Sequence, residues 1–535
     1  MGRYLDSKVP FEQYKAVVSD TYFVDKTALV DELVPFLRKE KRYFCITRPR
    51  RFGKSVMASM VGAFFGMACD GSALFSGLEI AKRPYYRNHL NQHHVIYIDF
   101  SRMPRNCTGY ASYIERIENG INQDLAEAYP ELAITVTDAV WDVLQTVVEK
   151  TDERFIFVMD EWDAIFHQPW AAQEDRWSFL TFLNNLLKGQ IYVELAYMTG
   201  ILPIAKYVEG SALNMFSEYN MATSKRFSEY FGFLDDEVDR LYRIYQKNVE
   251  NGQISREDLR VWYDGYYTAG GRKLYNPRSV VYALTDNQLK NYWTSSGVYD
   301  SVFSYIQGNV DKVQEDIARM FAGGSVPSDI QEYAAASMRL ETKDEIYSAM
   351  VVYGLLTWEA GCVSIPNREL MDSYAAMIKK EKSLGYLYQL ACVSRKMLEA
   401  TLAGDTKTMA EILKYAHDTE SPIFVYNSEI ELSAVVNLVY LAARDKYRVE
   451  REDKAGEGYV DFIFYPEQKG EDAIILELKI DASPKEAIQQ IKDRKYALRF
   501  QGKTGEQPKY TGRILAVGIS YDRKTKEHFC MVEVL

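Results

Sequence analysis

An apolar segment, Tyr43 to Ile46, stops at Thr47-Arg48-Pro49-Arg50-Arg51-Phe52-Gly53-Lys54-Ser55, and a helix-like run rich in Met, Ala, Val and Phe follows from Val56 to Phe65. Strand, loop, Gly-Lys-Ser and helix is the layout of a phosphate-binding loop. The loop's backbone N–H groups and the helix N-terminus are expected to face phosphates. Lys54 is expected to reach the β- and γ-phosphates of ATP, and the Ser55 hydroxyl to hold Mg²⁺. Arg48 stands where the first glycine of the pattern would fall, and Arg48, Arg51 and Gly53 join Lys54 and Ser55 as expected cofactor-binding positions. The opposing reading is a solvated basic turn before a helix.

A second segment decides between them. Arg154-Phe155-Ile156-Phe157-Val158-Met159-Asp160-Glu161-Trp162-Asp163 is an apolar strand ending in acids, as expected of a parallel central strand beside the phosphate loop. Asp160 is expected to bind Mg²⁺, usually through water, and Glu161 to polarise the water that attacks the γ-phosphate. Taken alone, the segment is equally a strand running into an acidic helix N-terminus. Paired with Gly53-Lys54-Ser55, it reads as a nucleotide site. Around this pair, Asp99 ends a strand at His94 to Phe100 and is read as a Mg²⁺- or water-ordering group or as a structural carboxylate. Thr199, after the strand Tyr192 to Met198, is read as a γ-phosphate sensor or a helix cap, and Lys206 and Arg226 as charge stabilisers. Tyr22-Phe23-Val24-Asp25-Lys26-Thr27 leads into a helical pattern from Ala28 to Arg38, which Asp25 or Thr27 would cap. It is read either as a cover for the nucleotide base or as a packing helix. The alternating elements from 43 to 230 predict an α/β fold with a doubly wound parallel sheet.

At 535 residues the chain exceeds one core. The patterns divide it into an ATPase part over 1–233, a helical lid and winged-helix-like region over 234–400, and an independent α/β domain over 401–535. Within the middle region, the aromatic loops around Trp262-Tyr263 and Tyr275-Asn276 are read as core, and helix, hairpin, helix over 343–380 as a packing module. The formal charge of −11 argues against an obligately basic nucleic-acid coat but leaves room for a local basic groove. Six scattered cysteines with no C-x-x-C, and no signal peptide, read as a reducing cytoplasm with buried thiols. No apolar run has the length of a membrane span.

The last third carries a second constellation. Gly458 to Tyr465 reads as a strand, Ala473 to Ile480 as its apolar partner, Lys485 to Phe500 as a helix and Arg513 to Ser520 as a further strand. Unpaired charges in a buried hairpin cost several kcal/mol, so their presence asks for a reason. Glu477 and Lys479 lie two apart on one face, and Asp461 on the neighbouring strand can meet them. Two converging carboxylates can hold Mg²⁺, with Mn²⁺ as an alternative, and Lys479 beside them can orient or activate a water for attack on a phosphodiester. Gln490 and Tyr496 on the following helix are expected to buttress Lys479 or touch a nucleic-acid backbone. The bland reading is a hairpin with a surface ion-pair ladder. Residues 481–513 hold eight Lys/Arg and four Asp/Glu, a net basic window suited to phosphates.

In order along the chain, "YFVDKT", "RPRRFGKS", "MDEWD", "YMTGI", "FGF", "WYDGY" and "YNP" resemble the AAA-ATPase-like family of bacterial proteins. Gly458-x-x-Asp461, Glu477-Leu478-Lys479 and Gln490 to Tyr496 resemble the PD-(D/E)XK nuclease domain that commonly follows it. The resemblance implies a restriction-endonuclease-like carboxy-terminal fold, an acidic metal ligand on the preceding helix that Glu431 fits better than Glu429, and Arg48 as a family trait. Tyr459-Val460 depart from the Arg-Ala or Arg-Val pair that often precedes the Asp. The resemblance implies an ATPase coupled to a nuclease, with roles in mobile elements or phage defence by association only. The expectation is thus an ATP-controlled, Mg²⁺-dependent nuclease with Glu161, Asp461, Glu477, Lys479 and Gln490 as catalytic residues and Ser55, Asp160, Asp461, Glu477 and Glu431 at metals. The partner is nucleic acid, DNA before RNA. Two rivals stand beside it: a nucleotide switch whose nuclease-like domain only recognises, and a DNA-remodelling homo-oligomeric ring.

Overall fold

The computed structural model describes residues 2–104, 107–204, 213–293, 310–321, 323–330, 342–380, 382–417, 429–455, 458–468, 470–500 and 512–535. Two compact units emerge, one from residues 1–293 and 329–360, the other from residues 294–328 and 361–535.

The first unit is built on five parallel strands: β1 (Tyr43–Thr47), β2 (His94–Asp99), β3 (Phe155–Asp160), β4 (Val193–Gly200) and β5 (Ser217–Tyr219), in the order β2-β3-β4-β1-β5. Phe44 and Ile46 of β1 and Ile156 and Val158 of β3 share a core with the helix α1 (Lys54–Phe65). The acid-ended strand β3 is not the neighbour of the loop strand. β4, buried along its whole length, lies between them. Its apolar run suits a strand covered on both faces, and its insertion brings Thr199 between the loop and Asp160. The helical pattern at 28–38 is cut short: a helix over Leu29–Leu33 gives way to a 3₁₀ turn at Val34–Phe36, where Pro35 sits. Asp25 and Thr27 do not cap that helix. Asp25 accepts the Glu79 N–H at 2.6 Å and the Thr27 hydroxyl accepts the Ile80 N–H at 3.1 Å, so the DKT stretch pins a distant turn.

Three helices follow: α2 (Asp235–Asn248), α3 (Arg256–Tyr263) and α4 (Pro277–Asp286). Ser255 and Asp258 cap α3 reciprocally, and Asn276 caps α4 ahead of Pro277, as their order in the sequence dictates. Tyr263 and Tyr275 are core, as read from the sequence, and Tyr245 joins them. The helix–hairpin–helix over 343–380 has its four elements. The helix α5 (Lys343–Tyr353) and the strand Thr357–Glu359 fall in the first unit, and the strand Cys362–Ser364 and the helix Arg368–Lys380 in the second.

The second unit carries a mixed sheet of β6 (Tyr447–Ala455), β7 (Gly458–Pro466), β8 (Ala473–Ile480), β9 (Ile514–Asp522) and β10 (Glu527–Val534) in sequential order. Only β8 and β9 run parallel. The connection between them includes the helix α7 (Pro484–Asp493), and the helix α6 (Glu429–Val439) packs against β8. The expected helix over 485–500 breaks at Lys495, whose φ of +53° is left-handed, and continues as a 3₁₀ turn over Tyr496–Phe500. Strands β6 and β10 were not read from the sequence. Within the basic window 481–513, residues 501–511 lie outside the described residues, as does Lys206.

Of the six cysteines, Cys45 and Cys107 are buried and Cys392 is exposed, so the expectation of buried thiols holds in part. Among the described residues no helix is long and apolar enough to cross a membrane.

Candidate active sites

The first site lies at the carboxyl ends of β1, β4 and β3. Arg51 and Gly53 take positive φ, 69° and 88°, which folds the loop's backbone toward an anion-binding concavity. A Cβ on Gly53 would meet nothing within 4 Å, so its glycine is required by backbone conformation rather than space. Phe52 anchors the loop from below, edge-on to Tyr266 with ring centroids 4.9 Å apart, and its carbonyl accepts the Gly232 N–H at 3.3 Å.

Arg48 does not face the loop's concavity. Its guanidinium donates to the carbonyls of Thr47 and Tyr219 at 2.7 Å and Phe227 at 3.0 Å, and lies 4.8 Å from the Phe231 ring centre. It is 1% exposed, and burial pulls its pKa down to about 9. The residue expected at the phosphates is a buried clamp between β1 and β5.

Lys54 donates to the carbonyls of Arg48 and Pro49, both at 3.0 Å. Burial lowers its pKa, while Glu161, Asp163 and Asp160 pull the other way. Asp160 accepts hydrogen bonds from Thr199 and from the exposed Ser55. Burial raises its pKa against these two bonds, with Asp99 adding to the rise and Lys54 opposing it. Thr199 is inside β4, not at a helix, so the cap reading fails, and its hydroxyl positions Asp160. Glu161 turns the chain at φ +50°, and burial raises its carboxyl pKa, with Lys54 opposing. A hydroxyl and a carboxylate already in contact, both hard oxygen donors, fit Mg²⁺.

Asp99 pairs in register with Asp160 but is bonded to the Ser101 N–H and hydroxyl and to Arg102 at 2.8 Å, which is the structural reading. Arg226 is held by Glu32 and lies over Phe36 and Phe227. Sequence reasoning missed Asp163. It is buried and accepts the N–H groups of Ile201 and Leu202 at 3.2 and 3.0 Å, fixing the turn that leaves β4. Burial alone would raise its pKa, but His167 and the backbone bonds bring it below the usual value. Its place two residues past Glu161 was the available signal.

The second site lies where β7 and β8 part. The antiparallel register Phe462↔Leu476 would next pair Asp461 with Glu477, but the ladder ends before that step. Instead the Asp461 carboxylate accepts the Leu478 N–H at 2.7 Å, and the Asp461 N–H points to Glu477 at 3.4 Å. The side chain thus takes a backbone bond and parts the two strands at this end of their ladder. Glu477 is 3% exposed, accepts from Gln490, and lies 3.5 Å from the Lys479 ammonium. Its pKa is pushed up to about 7, first by burial and then by the facing Asp461, with Lys479 opposing.

Gln490 reaches Glu477 because α7 lies tight on β9. A Cβ on Gly518, the register partner of Glu477, would come within 2.3 Å of the Pro484 carbonyl. Gln490 therefore supports Glu477 rather than Lys479. Tyr496 is fully buried among Ile488, Ile491 and Phe500, so it does not reach a nucleic-acid backbone. Two facing carboxylates, one with a raised pKa, fit a divalent cation through hard oxygen donors. Among the described residues no three His, Cys, Asp or Glu side chains gather as a metal cage, so Glu431, half-buried on α6, is not drawn into one with Asp461 and Glu477.

Comparison with known proteins gives each site a family. Residues 10–208 match the model described as a predicted AAA-ATPase, and residues 433–528 match the PD-(D/E)XK nuclease superfamily. An uncharacterized protein from the vnfD 5′ region of Azotobacter chroococcum mcd 1 is 23% identical over 287 residues, 52% of this chain and 51% of its own. The chain therefore spans about half the length of the curated relative it matches. Among solved structures, a Walker-type ATPase of Pyrococcus abyssi is 12% identical with a TM-score of 0.32, covering 65% of this chain and 93% of its own. The Aeropyrum pernix ORC2 protein, in ADPNP–ADP complexes, is 12% identical with a TM-score of 0.30, covering 66% and 93%. The chain thus combines an AAA-ATPase-like match in its amino-terminal part with a PD-(D/E)XK nuclease superfamily match in its carboxy-terminal part.

Proposed function

We propose that the protein binds and hydrolyses ATP and that its nucleotide state governs a Mg²⁺-dependent nuclease acting on DNA phosphodiesters. The observation that carries the nuclease reading is the opening of the β7–β8 ladder at Asp461 and Glu477, with Lys479 and Gln490 on the same carboxylate. A hairpin with a surface ion-pair ladder would have kept its register and put those charges in water.

At the first site, ATP would lie over the Arg51–Gly53 turn. Lys54 would exchange the Arg48 and Pro49 carbonyls for phosphate oxygens, and Glu161 would orient a water at the γ-phosphate. Ser55 and Asp160 would hold Mg²⁺, with Thr199 fixing Asp160. At the second site, Asp461 and Glu477 would hold Mg²⁺, or Mn²⁺ in its place, and Glu431 stays an outlying carboxylate. The ion, when bound, supplies Lewis-acid charge to the phosphate. Lys479 would steady charge building on the phosphate oxygens, and Gln490 would keep Glu477 aimed. In this scheme residues 1–233 hold the nucleotide, 234–400 relay its state and 401–535 cut. The setting is cytoplasmic, and assembly of identical copies is compatible with the scheme.

The test is incubation with single- and double-stranded DNA and RNA, with Mg²⁺ or Mn²⁺, with and without ATP, for wild type, Lys54→Ala and Glu477→Ala. The expected result is DNA cutting that Glu477→Ala abolishes and that Lys54→Ala uncouples from ATP. Equal cutting by Glu477→Ala would refute the site. An uncut substrate that is nonetheless bound would favour a nucleotide switch with a recognition module.

A further inference from the structure

The first unit contains a cavity that neither active-site reading uses. It measures about 260 Å³ and is lined by the end of β1 and start of the loop (Thr47–Pro49), by Ile201 and Pro203 beyond β4, by Glu218 and residues 220–224, and by Ile330, Ser348, Val351 and Val352. That is roughly eight water volumes, enough for a bicyclic ring. Thr47 and Cys45 alternate along β1 with Phe44 and Ile46, which pack in the core shared with α1, so the cavity lies on the sheet face away from that helix.

Its chemistry is specific. The walls are mainly aliphatic. Ser348, on α5, is 1% exposed, and its hydroxyl has no hydrogen-bond partner among the described residues. A buried hydroxyl left unpaired costs free energy that a ligand group can recover. Among the described residues of the wall the one cation, Arg48, spends its guanidinium on backbone carbonyls, while Glu218 adds negative charge. Phosphates and other anions therefore do not suit the cavity.

We propose that this cavity is a second small-molecule site, for a neutral, largely apolar ring compound with one hydrogen-bonding group that pairs with Ser348, and that its occupancy steadies the phosphate loop. The coupling follows from the shared wall: the carbonyls of Arg48 and Pro49 hold the Lys54 ammonium, and Arg48 and Pro49 line the cavity. A ligand packed against them holds those carbonyls in place and changes the ease with which Lys54 leaves them. This second clause rests on the reading of the loop as an ATP site, while binding itself does not.

Indole and phenol are the probes, titrated into the full chain by ligand-observed NMR and calorimetry, with ATP affinity measured in parallel. Wild type is expected to take up one equivalent of at least one probe, with a Kd of about 1 mM or tighter. Val351→Trp, which fills the cavity, is expected to weaken probe binding at least tenfold, and Ser348→Ala at least threefold. A saturating probe is expected to shift ATP affinity at least threefold in wild type and not in Val351→Trp. No saturable binding of either probe to wild type, or binding that both variants leave unchanged, overturns the site. Displacement of the probe by ADP overturns its separateness from the nucleotide site. Saturable binding with unchanged ATP affinity overturns the coupling alone. Lys54→Ala separates the two claims: loss of ATP binding with retained probe binding leaves the cavity standing.

Discussion

The two carboxylate centres of this chain solve the same electrostatic problem in opposite ways. In the first unit, Asp160 is buried but satisfied by the hydroxyls of Ser55 and Thr199, and Lys54 adds a nearby positive charge. In the second, Asp461 spends an oxygen on a backbone N–H, while Glu477 is buried facing it with one amide and one ammonium for company. The first centre offsets part of its buried charge with its own residues, although burial still raises Asp160 and Glu161. The second carries a carboxyl group whose pKa rises to about 7, and a divalent cation is the partner that would balance it.

Asp163 is where the first centre is most vulnerable. Its carboxylate holds two backbone N–H groups in the buried turn beyond β4. Asp163→Ala should cost the first unit about 3 kcal/mol, read as a lowered thermal transition together with weakened ATP binding. The mirror experiment is Gly518→Ala in the second unit. The added Cβ collides with the Pro484 carbonyl, and the variant should lose about 2 kcal/mol of that unit's stability. It should also lose cutting, as α7 backs away with Gln490, and leave ATP binding unchanged.

A smaller effect separates the centres by pH. The folded pKa of Glu477 is raised to about 7. Its contribution to stability is therefore full below the ordinary carboxyl range and fades as pH climbs toward 7. That amounts to about 2 kcal/mol between roughly pH 4.5 and 7. Urea denaturation across that range should show the slope in wild type and its loss in Glu477→Gln. Cleavage should run the other way, rising through pH 7 as the carboxylate ionises.

What could be read in advance follows the same division. The loop, α1 and the acid-ended β3 were legible because their signals are local: an apolar run, a glycine that needs positive φ, acids at a strand end. Asp461, Glu477 and Lys479 were legible because charges two apart in an apolar strand share a face. The order of the strands was not legible, because β4 inserts between β1 and β3 through a choice of partner that no local pattern encodes. Arg48 misled for a related reason. Its position in the motif pointed to phosphates, but its long side chain reached the carbonyls of Tyr219 and Phe227, far along the chain. Strands β6 and β10 escaped because Tyr447 to Ala455 is crowded with charge and Glu527 to Val534 is half-exposed, as edge strands often are. Tyr496 shows the converse: it was read on one continuous helix with Gln490, yet the break at Lys495 turned it into the core.

The proposed role of Asp461 and Glu477 is to hold a divalent cation. Its most direct test is a calorimetric Mn²⁺ titration of nucleotide-free protein near pH 6.5, in buffers of different ionisation enthalpy so that released protons are counted. The expected result is saturable uptake at millimolar Mn²⁺ or below, with proton release that disappears in Glu477→Gln and persists in Lys54→Ala. Uptake without proton release, or none at millimolar Mn²⁺, would contradict it.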